Sequence, residues 1–499
     1  MITLGIDSGT QSTKCIALDL GTGKIVASAS EAYGFIEGLP PGHLEQDPQT
    51  WLHAVDKAVR ACLQQLGKKK DQVKAIGVSG QQHGFVPLNK KNEVIRPAKL
   101  WCDTSTVDQC KQFEAEFGGV DELIKIAGNS LPAGFTASKI LWLKQNEPKN
   151  FKALHTVLLP HDYINYYLTG EIGMEYGDAS GTGLMDVRTR EWSKPLVDFI
   201  DERMEECLPQ IGSSRRALGL LTDSLREQWG LTRSPVVSAG GGDNMMGAIG
   251  TGNVQPGVVT ASLGTSGTLY AFAAEPVVDP EGEVAAFCDS TDRWMPLVCT
   301  MNVTVATEQI RKMYQWTHDQ MERSILESPA GARGLLFLPY LNGERTPNLP
   351  KGTGVFHGLN METMTPSYMA RAVMEGATLG LAYGLNRFRQ LGIEPTEIRL
   401  TGGGSQSGVW RQICADVFGV PTVCLQSAEG AALGAALQAA YACAAAEGKP
   451  TRFRDLADQY VALDESTRCK PDEDAVGIYT KLLGRQSDLT QRLRAASYL

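Results

Sequence analysis

A single carboxylate, Asp243, follows three consecutive glycines near the middle of the chain, within residues 238–248. Glycines permit positive φ and carry no Cβ that would block a ligand. Apolar residues follow between positions 245 and 249 with helical spacing, which predicts a helix that begins at Asp243. An aspartate at this place can simply cap the helix. It can also act as a general base, because a glycine turn would point its carboxylate toward a bound substrate.

The N-terminal residues 2–19 predict a strand, a polar turn and a second strand, with a third strand over 24–30. The turn would offer backbone amides and hydroxyl groups to an anionic ligand, and Asp7 ends the strand before it. A polar β-turn without a ligand is the alternative. The candidate phosphate-binding residues of this turn are Gly9, Thr10, Gln11 and Ser12.

Residues 258–272 repeat this pattern of strand, Gly-Thr-Ser turn and strand, about 255 residues further along the chain. The repeat predicts that each half of the chain opens on a β-hairpin with a phosphate loop. Two such loops favour a nucleotide ligand, and Asp7 could then recruit Mg²⁺ through a carboxylate oxygen. The candidates in the second loop are Gly264, Thr265 and Ser266.

Two further strand ends carry polar side chains suited to a hydroxylated substrate. A strand over 73–79 is followed by Gln82 and His83, and a second strand ends near Trp101 and Asp103. Ligands of open α/β sheets bind beyond the carboxyl ends of strands. A carboxylate, an imidazole and amides suit a polyol better than an apolar ligand. A purely structural role for His83 is the alternative.

Composition limits the possible classes of protein. The chain has 499 residues, 42% of them hydrophobic and 21% charged, which is globular composition and enough for two to four domains. The net charge is -9 and the only compact basic run is 68–70, so neither nucleic acid nor an anionic membrane is an expected partner. The 11 cysteines are scattered without Cys-x-x-Cys spacing, and no apolar leader follows Met1, which together predict reduced thiols and a cytoplasmic location.

Several helices are predicted around these motifs, over 49–66, 136–146 and 365–389. Three glycines recur every fourth residue in the last of these, which indicates close helix packing. Residues 430–446 are mostly alanine and too short to span a membrane, so they predict a buried helix. Residues 398–407 predict a strand, a glycine turn and a helix start. This turn is either a tight αβ connection or an approach to adenosine, with Gly403, Gly404 and Ser407 as candidates.

Taken in order, these motifs resemble those of the FGGY carbohydrate kinases over nearly the whole chain. The matching segments are Gly5-Ile6-Asp7 with Gly9-Thr10, Gly134 to Lys139 with Trp142, Gly240 to Asp243, Leu263 to Ser266, Gly343 to Pro347, Gly354 to Gly358, and Gly402 to Gly404.

The resemblance implies an α/β fold of two actin-like lobes with ribonuclease-H-like cores and an active site between them. The expected lobes are residues 1–246 and 247–499. Asp243 matches the catalytic base and Asp7 the carboxylate near Mg²⁺, with both aspartates as candidate metal ligands. The implied sugar-binding set is Gln82, His83, Trp101, Asp103, Asp243 and Asn244.

Two positions depart from the family pattern near the expected sugar. Many relatives carry Arg where this chain has Ser105, and some have Met where Gln82 stands.

The activity implied is transfer of the γ-phosphoryl group of ATP to a primary hydroxyl of D-xylulose, giving xylulose 5-phosphate. D-Ribulose, L-xylulose or a polyol are alternative acceptors, and a homodimer is implied by relatives. An actin-like ATPase acting as a chaperone or filament protein is an alternative of another class. A dehydrogenase is disfavoured, because the glycines of 247–252 lie within or after the predicted helix and not between a strand and a helix.

Overall fold

The computed structural model describes residues 1–427, 429–449 and 451–499, which form two compact units. The first unit contains Met1–Val254, Ala273–Met295 and Glu429–Val461, and the second contains Gln255–Phe272, Pro296–Ala428 and Ala462–Leu499. This division differs from a single boundary after residue 246. Two later segments return to the first unit, because they pack on its sheet and on its central helices.

The strands are, in chain order, β1 (Ile2–Ser8), β2 (Ser12–Asp19), β3 (Lys24–Ala32), β4 (Glu45–Gln46), β5 (Val73–Gly80), β6 (Val86–Leu88), β7 (Ala98–Lys99), β8 (Thr156–Leu158), β9 (Met174–Glu175), β10 (Met185–Asp186), β11 (Glu191–Trp192), β12 (Ile211–Gly212), β13 (Ala217–Leu220), β14 (Val236–Ser238), β15 (Gly241–Gly242), β16 (Val258–Leu263), β17 (Gly267–Ala271), β18 (Ala285–Cys288), β19 (Trp294–Thr300), β20 (Leu336–Pro339), β21 (Gly354–His357), β22 (Glu397–Thr401), β23 (Thr422–Leu425) and β24 (Leu463–Cys469).

The α-helices are α1 (Pro48–Leu66), α2 (Val107–Phe117), α3 (Val120–Ala127), α4 (Thr136–Asn146), α5 (Pro148–Ala153), α6 (Pro160–Thr169), α7 (Tyr176–Ser180), α8 (Lys194–Ile200), α9 (Met204–Cys207), α10 (Asp223–Gln228), α11 (Asp243–Gly250), α12 (Thr304–Met313), α13 (His318–Leu326), α14 (Pro366–Gln390), α15 (Gly408–Phe418), α16 (Gly430–Ala446), α17 (Phe453–Tyr460) and α18 (Glu473–Ala495). Short 3₁₀ helices span Gly67–Gln72, Ala330–Gly334 and Gly403–Gln406.

The large sheet of the first unit has the strand order β13-β14-β5-β1-β2-β3. The β1-β2-β3 meander is antiparallel, whereas β5 runs parallel to β1 and β14 runs parallel to β5. The edge strand β13 is antiparallel to β14. Helix α1 covers one face through its apolar side, on which Trp51, Val55 and Val59 are buried.

The sheet of the second unit contains the same arrangement of strands. Six of its seven strands run in the order β24-β23-β22-β16-β17-β19, with β16-β17-β19 antiparallel, β22 parallel to β16, and β23 parallel to β22. Its edge strand β24 is antiparallel to β23. The internal repeat predicted from the two Gly-Thr loops is therefore confirmed at the level of topology.

Helix α16 lies on the second face of the first sheet at very short distance. A Cβ atom added at Gly5 of β1 would collide with the carbonyl oxygen of Ala432, and one added at Gly77 of β5 would collide with that of Ala435. These two glycines let the helix backbone touch the strands, and twelve of its residues are buried. The buried helix expected over 430–446 is thus confirmed.

The other expected elements agree closely with the observed bounds, and the predicted helix at Asp243 is α11. The glycines of α14 allow close packing, but against strands and not another helix. A Cβ at Gly376 would meet Phe337 of β20, and one at Gly384 would meet Val298 of β19. Within the part of the chain that the structure describes, no helix is both long and apolar enough to cross a membrane.

Candidate active site

The glycine turn places Asp243 at the first position of α11. The short strand β15 pairs with β5 and leads directly into α11, with Gly242 at the N-cap position of that helix. Asp243 therefore does not serve as the cap residue. Its Oδ1 accepts hydrogen bonds from the backbone N–H of Asn244 at 2.8 Å and from the Asn244 amide at 3.1 Å.

Asp7 is the penultimate residue of β1 and lies beside Ser79 of β5, whose hydroxyl donates to Asp7 Oδ1 at 2.8 Å. Burial, and after it the negative charge of Asp7, raise the pKa of Asp243 to about 7. Burial also raises the pKa of Asp7, against the lowering effects of Ser79 and Lys14. A carboxyl group that titrates near neutral pH is suited to accept a proton from a hydroxyl group.

Gln82 lies next to this carboxylate. The amide of Asn244 donates to Gln82 Oε1 at 2.8 Å, so the structure brings Asp243, Asn244 and Gln82 together. Gln82 is 4% exposed, and its Nε2 is buried without a hydrogen-bond partner. An unpaired buried donor is costly unless a ligand or water meets it.

His83 takes a left-handed backbone conformation, with φ of 61°. Its Nδ1 lies 2.7 Å from the carbonyl oxygen of Gly181, and its ring stacks on Phe135 with centroids 4.6 Å apart. Both contacts fix the orientation of the ring.

Trp101 contacts Thr10, a candidate residue of the first phosphate loop. Its indole N–H donates to the hydroxyl of Thr10 at 3.0 Å, and that hydroxyl donates to Gln81 at 3.2 Å. Gly9 closes the turn by donating its N–H to the carbonyl of Ser12 at 3.0 Å. The amide of Gly9 is therefore not free for a phosphate, which differs from the expectation that this turn presents it. Gln11 is exposed at the tip.

Asp103 is fully buried and both of its oxygens are engaged within the protein. Oδ1 accepts from the backbone and the hydroxyl of Ser105 at 2.9 and 2.5 Å, and Oδ2 accepts from Leu44 N and Lys99 Nζ at 2.9 and 3.1 Å. Burial alone would raise the pKa of Asp103, but these hydrogen bonds outweigh it and lower the pKa. Asp103 can reach a sugar hydroxyl only by sharing an oxygen that already accepts two hydrogen bonds.

A buried lysine, Lys99, lies within the one group of three metal-type ligands among the described residues, which is His43, Glu45 and Asp103. Its ammonium group is 3.1 Å from oxygens of Glu45 and Asp103 and 3.2 Å from His43 Nδ1, and it lies over the ring of Trp142. The lysine thus supplies the positive charge that a metal ion would otherwise supply there.

The nucleotide candidates of the second unit also lie together. The turn between β16 and β17 contains Gly264, Thr265 and Ser266, and its carbonyls accept from the start of α12. A Cβ at Gly402 would collide with the backbone of Leu263, so the glycine turn after β22 touches the strand that leads into this loop. Gly403 faces open space, whereas Gly404 packs on Trp410. Ser407 caps α15, with its hydroxyl accepting from Trp410 N at 3.2 Å.

Three residues near these groups were not identified from sequence, namely Ser79, Lys99 and Gln438. Gln438 is fully buried in α16 and forms hydrogen bonds with the glycine turn. A signal existed for it, because it is the only amide side chain in a helix composed almost entirely of alanine, glycine and leucine. Lys99 carried no such signal.

Comparison with known proteins agrees with the fold and the motifs. Residues 2–250 match the N-terminal domain, and residues 259–443 the C-terminal domain, of the FGGY family of carbohydrate kinases. The xylulose kinase of Haemophilus influenzae is 40% identical over 482 residues, which cover 95% of this chain and 97% of that protein. The xylulose kinase of Escherichia coli is 36% identical over a region that covers 83% of this chain and 84% of that protein.

A solved structure, the xyloylose kinase of Brucella ovis, superposes with a TM-score of 0.92 at 31% identity, covering 99% of this chain and 100% of that one. The two-domain actin-like fold implied by the sequence motifs is confirmed. The chain therefore belongs to the FGGY family of carbohydrate kinases, whose members use ATP to phosphorylate a sugar.

Proposed function

We propose that this kinase phosphorylates D-xylulose on its primary 5-hydroxyl group, giving D-xylulose 5-phosphate and ADP. The proposal is supported by the relatives named xylulose kinase, which are 34–40% identical over most of the chain. The structural observation that carries it is Asp243, whose pKa is raised to about 7 at the start of α11. Asn244 and Gln82 lie beside it and can hold hydroxyl groups of an acceptor.

In the proposed reaction, Asp243 accepts the proton of the attacking hydroxyl. That oxygen forms a bond to the γ-phosphorus of ATP, while the bond between this phosphorus and the bridging oxygen of ADP breaks. The transition state is loose, so orientation of the acceptor contributes more than the strength of the base. Proton acceptance by a positioned base still contributes about 10² to 10⁴-fold in rate.

Mg²⁺ fits the chemistry of Asp7 and Asp243. Both are carboxylates, both have raised pKa values, and the charge of Asp7 disfavours ionisation of Asp243. A divalent cation prefers carboxylate oxygens and would offset this repulsion. When bound, it would neutralise charge on the phosphoryl oxygens of ATP.

The remaining candidate residues take roles in binding. We assign the sugar to Gln82, His83, Trp101, Asp103, Asp243 and Asn244. The phosphates of ATP are assigned to the loops at Gly9, Thr10, Gln11 and Ser12 and at Gly264, Thr265 and Ser266, and the adenosine to Gly403, Gly404 and Ser407. A homodimer and a cytoplasmic location stay predictions.

The test is ADP release, coupled to NADH oxidation, from the purified chain with ATP and Mg²⁺. The acceptors are D-xylulose, D-ribulose, L-xylulose, a pentitol and glycerol, with a control that lacks any acceptor. We expect D-xylulose to give the highest kcat/KM, by at least about tenfold, since one hydroxyl that a polar site cannot pair costs about 1.4 kcal/mol or more.

Other outcomes would assign the protein differently. A higher kcat/KM with another ketopentose or polyol would retain the kinase and reject D-xylulose as its substrate. ADP release at the same rate without any acceptor would instead favour an actin-like ATPase that acts as a chaperone or filament protein.

A further inference from the structure

The glycine turn before Asp243 is held by a side chain from a distant part of the chain, Gln438 of α16. Its Nε2 donates to the carbonyl oxygen of Gly240 at 2.8 Å, and its Oε1 accepts from the N–H of the same residue at 2.9 Å. Gln438 thus contacts both main-chain polar groups of Gly240, as a neighbouring strand would. The side chain is fully buried.

Two more hydrogen bonds fix the amide itself. Oε1 also accepts from the hydroxyl of Ser238 at 2.7 Å, and Nε2 also donates to the carbonyl oxygen of Ser214 at 3.0 Å. Every donor and acceptor of the amide therefore has a partner. A fully satisfied buried amide has one preferred orientation, because any rotation leaves polar groups unpaired.

The backbone that carries Gln438 is also fixed relative to α11. Gly430, Gly434 and Gln438 are spaced four residues apart and so share one face of α16. A Cβ at Gly434 would collide with the carbonyl of Met246, and one at Gly250 would collide with that of Gly430. This face therefore follows α11 along its length and reaches the glycine turn at Gln438.

Apart from Gln438, the turn is held on its C-terminal side by β15, because Gly241 and Gly242 pair with β5. Gly240 has φ of 75°, and Gly240 to Gly242 carry no side chains that could pack. Asn165 supplies the second side-chain contact, by donating to the carbonyl of Ala239 at 2.7 Å. Only Gly241 and Gly242, which pair with β5, stand between Gly240 and Asp243, so a change at Gly240 acts on the short strand that leads into α11.

We propose that Gln438 is a positioning residue for the phosphoryl transfer, which holds the glycine turn so that the carboxylate of Asp243 meets the acceptor hydroxyl. The proposal rests on the role of Asp243 as the base. A displacement of about 1 Å in a reacting group can reduce a rate by about 10²-fold. Loss of Gln438 should therefore lower kcat and leave the binding of ATP nearly unchanged.

The test is a double-mutant cycle with Gln438→Met and Asp243→Asn in the full-length chain, with kcat measured for the best acceptor. Methionine keeps the volume of the side chain and removes all four hydrogen bonds. We expect Gln438→Met to lower kcat by at least about tenfold in the wild-type chain and by less than about twofold in the chain that already carries Asp243→Asn. The reason is that a residue acting through the base has no effect once the base is gone. The KM for ATP should change less than about threefold.

Hydrogen exchange gives a second readout that does not depend on activity. The N–H of Gly240 loses its acceptor in the variant, so exchange in a peptide spanning residues 238–244 should accelerate while β1 and β5 stay protected. Gln486→Met is the matched control. Gln486 is a buried glutamine of α18 in the second unit that donates to Phe337 and Gly376, and its loss should leave kcat within about twofold.

The outcomes distinguish the proposed role of Asp243 as the base from the proposed role of Gln438 as a positioning residue. If Asp243→Asn alone keeps more than a tenth of wild-type kcat, the proposed base is wrong. If Asp243→Asn loses activity as expected but Gln438→Met lowers kcat less than tenfold, or equally in both backgrounds, the positioning role is rejected. If Gln438→Met does not fold, Gln438→Asn takes its place, because asparagine keeps the amide but cannot reach all four partners. The double-mutant cycle with Asp243→Asn then tests the positioning role with this variant.

Discussion

The carbonyl oxygen of Met246 in α11 occupies the space that any side chain at position 434 of α16 would need. The two helices therefore contact each other through backbone atoms, one turn after the proposed catalytic residue. Gly434→Ala should destabilise the first unit by about 1–3 kcal/mol, because overpacking must separate the helices. Thermal unfolding followed by circular dichroism measures this change.

The matched control is Gly477→Ala in α18, where a Cβ would face open space. This change should stabilise the protein slightly, by up to about 1 kcal/mol, because alanine loses less backbone entropy than glycine in a helix. Equal changes in unfolding temperature for the two variants would contradict the close contact between α11 and α16.

Replacement of Asp243 tests the proposed base. Asp243→Asn should lower kcat by about 10² to 10⁴-fold, or roughly 3–5 kcal/mol of barrier, since the amide accepts no proton. Sugar affinity measured by calorimetry should stay within a few fold. Asp416→Asn is a suitable control, because Asp416 is a buried carboxylate of α15 with a raised pKa and only structural partners. Its kcat should equal that of the wild type.

The pH dependence tests the electrostatic effect of Asp7 on Asp243. A base must be ionised to act, so activity should be present above the pKa of Asp243, about 7, and decline as pH falls through it. The charge of Asp7 raises this pKa, so at Mg²⁺ concentrations that saturate both chains Asp7→Asn should move the acid limb of the kcat profile to lower pH.

The same variant should require more Mg²⁺ for half-maximal activity, because one candidate ligand is lost. An acid limb that stays in place or moves to higher pH would contradict the effect of Asp7 on Asp243. A metal titration identical to that of the wild type would contradict the role of Asp7 at the cation.

Lys99 should be essential for stability, because it lies buried between two carboxylates. Lys99→Met leaves Asp103 without its cation and Glu45 with Arg96 alone, and should cost about 3–5 kcal/mol in the free energy of unfolding. Chemical denaturation measures it. As a comparison, Lys125→Met removes an exposed ion pair with Glu122 and should leave the denaturant concentration at the unfolding midpoint nearly unchanged. Similar midpoints for both variants would show that the buried pair is not required.

Local patterns in the sequence determined much of this protein. The two Gly-Thr hairpins, the helix that begins at Asp243 and the buried alanine-rich helix follow from strand alternation, helical spacing and turn residues. These signals act between residues close in the chain, so they can be recognised without a structure. The ordered motifs also identified the family, which the comparisons confirmed.

Tertiary structure alone decided which distant residues meet. Helix α16 lies between β23 and β24 of the second sheet in the chain but packs on the first sheet, because Gly5 and Gly77 let its backbone approach the strands. That placement brings Gln438 to the glycine turn, about 200 residues away in sequence. Likewise, Lys99 lies among three potential metal ligands only because β4 pairs with β7. Such contacts depend on sheet register and on the close approach of backbones, and no local periodicity encodes either.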